Sequence, residues 1–110
     1  MELIRGAVVL VSGPGEGDDR LRPGVVVQSD TFNDTHSSIT LCPVTTHVGG
    51  ERLFRVPVSP SPENGLRAPS DIQVDRLQSI RRDRLVRVVG TLSATRMEQV
   101  DQALQRWLAL

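Results

Sequence analysis

Two residue runs place a polar side chain at the end of a valine-rich segment: Arg22-Pro23-Gly24-Val25-Val26-Val27 and Pro43-Val44-Thr45-Thr46, with Phe32-Asn33 between them. Strand ends in a small β domain converge on a few surface patches, so Arg22 and Thr45 are candidates to meet. A guanidinium fork beside a hydroxyl suits a phosphodiester, because it neutralises charge and adds one directional hydrogen bond. The plainer reading is that Arg22 pairs with Asp18 or Asp19 and that Thr45 merely ends a strand. Side-chain chemistry alone favours that reading.

Charge limits how any such site works. The 110 residues carry 13 basic and 13 acidic side chains; every basic one is arginine, and the chain has no lysine and no tyrosine. Neutrality argues against holding nucleic acid by bulk positive charge, so an anion site has to be local. The arginine bias fits either a use for the bidentate fork or coding bias, and composition does not separate the two. Gly13-Pro14-Gly15-Glu16-Gly17 is glycine-rich, yet it lacks a Gly-Lys-Ser/Thr ending, is followed by Asp18 and Asp19, and leads into a strand. It reads as a connector or lid. His36 and His47 have no carboxylates at ligand spacing, so no metal is expected, and no cofactor motif is present. Cys42, the one cysteine, excludes an internal disulfide and reads as a buried small hydrophobe. The apolar runs 7–11 and 25–27 are far too short for a bilayer, and no leader pattern opens the chain, so the expected setting is the cytoplasm.

The elements that must position these residues are mostly strands. Fifteen valines fall in short runs between turn residues, the pattern of a β-rich domain. Strands are expected over residues 4–11, 23–29, 38–44, 53–58, 71–77 and 85–92, with Gly6 as a bulge or close approach inside the first. Residues 30–37 read as turn, and 81–84 as a charged connector. Phe54, Val56 and Val58 share one strand face with Arg55 opposite. Met97, Val100, Ala103, Leu104, Trp107 and Leu108 recur at helical spacing behind Ser93, a suitable N-cap. The expected architecture is mainly β: one domain over residues 1–110, a small curled antiparallel barrel with one C-terminal helix. At this size folding buries about two-thirds of the unfolded surface, so dimerisation is a natural supplement.

Along these motifs the chain resembles the MazF/PemK family of toxin endoribonucleases from type II toxin–antitoxin pairs. The resemblance is carried by Arg5-Gly6 and the strand after it, by residues 22–26, Phe32-Asn33 and Pro43-Val44-Thr45. It resumes at Val74-Asp75, the arginine-rich connector and Gly90-Thr91-Leu92-Ser93. It implies an SH3-like barrel acting as a homodimer. The implied activity is metal-free cleavage of single-stranded RNA, often messenger RNA, at short preferred sequences, and the implied partner is a cognate antitoxin that blocks the RNA groove. By position the family's catalytic arginine falls on Arg22 and its catalytic threonine on Thr45. An aspartate that matters in some members falls on Asp75. Three positions depart: Ala7 replaces a common aspartate, Gln73 stands where some members have a catalytic arginine, and Arg76 replaces a common glutamine.

In metal-free cleavage the adjacent 2′-hydroxyl attacks phosphorus, giving a cyclic phosphate and a free 5′-hydroxyl. Arg22 suits charge stabilisation, since a guanidinium is a poor proton acceptor, and Thr45 suits orientation of the phosphate. His47 and Asp75 are the candidate bases. A solvated turn histidine, and an ion pair of Asp75 with Arg76 or Arg81, are the respective alternatives. Phe32, Phe54 and Trp107 are the only aromatics, and Phe54 reads as core. RNA recognition is therefore expected from hydrogen bonds of Asn33, Thr46, Gln73 and Arg76, with Arg55 reaching phosphate or lying on a solvated face. The competing class with this fold is the CcdB-type gyrase poison, which Val27-Gln28-Ser29-Asp30 and the late Trp107 resemble; there Trp107, Leu108 and Leu110 would contact gyrase. A non-catalytic member that binds only RNA or antitoxin is a third reading. The Arg22 and Thr45 motifs favour the ribonuclease.

Overall fold

The computed structural model describes residues 2–15 and 20–110. The expected pairing of Arg22 with Asp18 or Asp19, and the acidic half of the glycine-rich loop, lie outside the described residues. Among the described residues seven strands form one sheet: β1 (Ala7–Ser12), β2 (Leu21–Val26), β3 (Ser38–Thr45), β4 (Arg55–Val58), β5 (Ser70–Gln73), β6 (Gln78–Arg81) and β7 (Leu85–Thr91). A helical turn, α1 (Asp30–Asn33), follows β2, and α2 (Ala94–Leu108) ends the chain. All pairings are antiparallel, in the order β4-β5-β3-β2-β1-β7, with β6 also on β3. The expected curled sheet and single C-terminal helix are present. The sheet does not close, since no pairing among the described residues joins β4 or β6 to β7.

Consecutive apolar residues in a strand need cover on both faces, and both faces are covered. Val8, Val25, Cys42, Val44 and Ile72 pack with Val100, Ala103 and Leu104 of α2. Ala7, Val9, Val26, Ile39, Leu41 and Ile80 form a second cluster. The neighbours Val8 and Val9, like Val25 and Val26, fall in opposite clusters, as a two-residue period demands. The second cluster packs closely on Gly24, where a Cβ would lie 2.9 Å from Leu41 Cδ1. Ser93 caps α2 by accepting from the Arg96 N–H at 3.2 Å.

Arg5 and Gly6 fasten one end of the sheet. Gly6 precedes β1 instead of interrupting it, with φ +92°; its N–H donates to Val26 O and its carbonyl accepts from Leu92 N–H, both at 2.8 Å. Positive φ makes glycine the low-strain residue here. Arg5 donates from its backbone to Asp30 Oδ1 (2.6 Å), from Nε to Val27 O (2.9 Å) and from Nη2 to Asp101 Oδ1 on α2 (2.7 Å).

The expected strand 71–77 is split. Strand β3 pairs through Ser38–Leu41 with β6 and through Val44 and Thr45 with β5, skipping Cys42 and Pro43 on that edge. Pro43 has no N–H to offer the gap. The chain crosses the gap in a 3₁₀ turn, Val74–Arg76, and a second such turn, Arg82–Arg84, follows β6 where a plain connector was expected. Phe54, expected in the core, is only half-buried and meets Trp107 edge to face at 4.9 Å. In the last turn of α2, Trp107 and Leu108 remain nearly half exposed.

Candidate active site

The gap in the β3 ladder opens a groove. Strands β2 and β3 pair from Val26–Leu41 to Gly24–Pro43. Continued two positions further, that register sets Arg22 across from Thr45. Both side chains line a groove of about 520 Å³ together with Thr46, Gln73, Arg76, Gln78 and Arg84. Among the described residues three arginines and no carboxylate line it, so the charge these residues set is positive although the chain is neutral.

The groove's polar groups are largely uncommitted. Among the described residues the side chains of Arg22, Gln73, Arg76 and Gln78 have no hydrogen-bond or ion-pair partner. Thr45 Oγ1 accepts from the His47 backbone N–H at 3.1 Å, which fixes the hydroxyl oxygen and leaves its proton free to be donated. Arg84 is held, with Nε and Nη2 both donating to Ser12 O at 3.1 and 2.9 Å.

Other residues expected at the site are elsewhere. Asn33 lies beyond the opposite end of β2 and is 2% exposed. Its Nδ2 donates to Asp30 Oδ1 (3.0 Å) and Gln28 O (3.4 Å), its Oδ1 accepts from Gln28 Nε2 (3.3 Å), and its carbonyl accepts from Arg82 Nη2. Asn33, expected to contact RNA, is thus placed away from the groove, with its amide closing a structural network. Asp75 does not line the groove either. It accepts from Arg55 Nε at 2.9 Å and Nη2 at 3.4 Å, so its partner is neither Arg76 nor Arg81, and Arg55 is not a free strand-face cation. His47 is exposed on the loop after β3, outside the groove lining.

Arg84 and Gln78 belong to the groove without having been singled out in the sequence. The signal for Arg84 was the connector Arg81-Arg82-Asp83-Arg84, but choosing among its arginines needs the 3₁₀ geometry. Arg81 pairs with Asp83 at 2.5 Å, Arg82 turns to His36 O and Asn33 O, and only Arg84 faces the groove. Cys42 is fully buried, and loss of solvation pushes its thiol up to about 12, which keeps it protonated and inert.

A family model described as PemK-like, MazF-like toxin of type II toxin-antitoxin system matches residues 4–108. The chain belongs to the PemK/MazF toxin family. A curated relative, "Probable endoribonuclease MazF" of Mycolicibacterium smegmatis, is 31% identical over 96% of each chain. Among solved structures, the Mycobacterium tuberculosis toxin MazF-mt6 superposes with a TM-score of 0.79 at 26% identity, covering 94% of this chain and 97% of that one. A MazE–MazF structure from Deinococcus radiodurans gives 0.81 at 21% identity over 98% and 97%, a likeness of fold. These toxin endoribonuclease relatives place the ribonuclease reading of this PemK/MazF chain ahead of the gyrase-poisoning one. No helix among the described residues is long and apolar enough to cross a membrane.

Proposed function

We propose that this PemK/MazF toxin cuts single-stranded RNA, messenger RNA included, in the cytoplasm and without a metal. The observation that carries the reading is an Arg22 with no partner among the described residues, set across from Thr45 in a groove where the described lining holds three arginines and no carboxylate. The 2′-hydroxyl attacks the adjacent phosphorus, and the P–O5′ bond breaks, leaving a 2′,3′-cyclic phosphate and a 5′-hydroxyl whose departing oxygen takes its proton from water. Arg22 stabilises the charge that grows on the non-bridging oxygens, and the Thr45 O–H donates to one of them. Of the two proton acceptors named from sequence, Asp75 is engaged by Arg55, whereas the His47 ring has no partner among the described residues. His47 is assigned the proton from the 2′-hydroxyl. Arg84, Arg76, Gln73, Gln78 and Thr46 hold the strand on either side of the cut.

The working unit is proposed to be a homodimer restrained by a cognate antitoxin. The MazE–MazF assembly of a protein with this fold supports that partner. The deciding experiment incubates the purified chain with a long single-stranded RNA in EDTA, maps the ends, and runs a gyrase-trapping assay beside it. Cuts leaving 5′-hydroxyl ends, lost in Arg22→Ala, are expected. Stabilised DNA breaks with intact RNA would reverse the assignment.

A further inference from the structure

The break between β5 and β6 does more than open the groove. A 3₁₀ turn has about three residues per turn, so successive side chains point roughly 120° apart. In Val74–Arg76 the three directions have three different destinations. Val74 is fully buried in the cluster beneath α2, and its N–H donates to Phe54 O at 2.9 Å. Asp75 is gripped by the Arg55 fork on β4, in a pair whose side chains keep only 16% and 25% of their exposure. Arg76 is left to face the groove, between Gln73 before the turn and Gln78 after it. The turn is closed by Leu77 N–H donating to Val74 O at 3.2 Å.

We infer that the Arg55–Asp75 ion pair is a positioning clamp for base selection, holding a ledge of Gln73, Arg76 and Gln78 against the bases of the bound RNA strand. The inference rests on the RNA-cleaving reading above and assigns Arg55 and Asp75 no contact with RNA. Amide and guanidinium groups on a fixed backbone read the hydrogen-bonding edges of unstacked bases. The three ledge side chains have no partner among the described residues. Arg55 and Gln73 are cross-strand neighbours in the β4–β5 register, so the clamp and the first ledge residue share one strand pair. A half-buried fork holding two carboxylate oxygens fixes both angle and distance. That fixity is what discrimination between bases requires.

The test uses the full-length protein and a panel of short 2′-O-methyl RNA oligonucleotides differing by single bases, which bind and cannot be cut, read by fluorescence anisotropy. Cut-end mapping and steady-state kinetics on unmodified RNA run in parallel. Asp75→Asn and Arg55→Met are expected to narrow the affinity ratio between best and worst oligonucleotides by about tenfold and to raise KM by a similar factor. The charge-swapped pair Arg55→Asp with Asp75→Arg recovers part of that ratio. Gln73→Ala, with the clamp intact, reproduces the relaxed selectivity at one position of the cut site. The inference fails if Asp75→Asn keeps its selectivity and loses one limb of the pH–rate profile, which would make Asp75 a proton-transfer group. It also fails if a folded Gln73→Ala protein reads bases as the parent does. A parent that binds selectively without cutting overturns the ribonuclease reading, while the binding panel still decides the clamp.

Discussion

The two ends of the β2–β3 pair treat polar side chains in opposite ways. At the Arg5 end nearly every one is used by the protein itself: the Arg5 guanidinium makes two bonds, Asn33 spends its amide on Asp30 and Gln28, and Arg82 donates to two carbonyls. At the Arg22 end, side chains of the same kinds stand open in a groove. Among the described residues no buried side-chain polar atom lacks a partner, so the open groups are not a failure of packing. Residues that the fold consumes are architecture, and those it holds in place without satisfying are free to satisfy a ligand.

The sharpest way to break this contrast is to remove one residue from each end. Arg22→Ala is expected to lower kcat/KM for RNA by about 10³-fold or more, the scale for losing a charge-stabilising donor, while its unfolding midpoint stays that of the parent. Cleavage within a few-fold of normal would refute the assignment of Arg22. Asn33→Ala should do the reverse. It removes the bonds that the buried Asn33 amide makes to Gln28 and Asp30 and leaves its space unfilled, which costs roughly 2 kcal/mol, measurable as a lower urea midpoint with unchanged cutting below it. A fall in cleavage without a fall in stability would return Asn33 to the RNA surface.

The contrast also explains what could be read from the sequence. Arg22 and Thr45 were legible because each follows or precedes an apolar run whose two-residue period fixes register, and register brings the two together. For Asn33 the motif does not show which way the amide points; burial decides that, through residues 28, 30 and 82. The split of 71–77 was hidden because strand propensity in Asp71–Gln73 and beyond is continuous, and the break is imposed by the partner, at Pro43. For the same reason the Arg55–Asp75 pair was invisible: it joins β4 to a turn that residue types alone give as strand.

Within the open end, Thr45→Val separates the hydroxyl from its shape. The substitution keeps the branched side chain, removes the donor to phosphate and leaves the His47 N–H on an exposed loop without its acceptor. About tenfold in kcat is expected, with little change in KM, because a hydrogen bond to a charged oxygen is worth about 1.5 kcal/mol. A larger loss accompanied by a changed pH–rate profile would show that Thr45 acts by orienting His47.

Between the two ends lies Cys42, which senses both. Desolvation is the main cause of its raised value of about 12, with Arg5 from the fastened end lowering it and Asp75 from the open end raising it. From the ordinary value of 9.0 up to about 12, the unfolded chain gives up the thiol proton and the folded chain keeps it. Ionisation then favours the unfolded state, so stability falls as pH rises through that window and is unaffected by this group below it. The slope is on the order of 1 kcal/mol per pH unit for one proton. With no lysine and no tyrosine in the chain, and arginine protonated throughout, little else titrates there. Urea unfolding of the parent and of Cys42→Ala between pH 9 and 11 reads the difference directly. The variant starts less stable because of the cavity, and its stability should then stay level while the parent's declines. Parallel declines in the two proteins would show that the buried thiol is not what the alkaline limb measures.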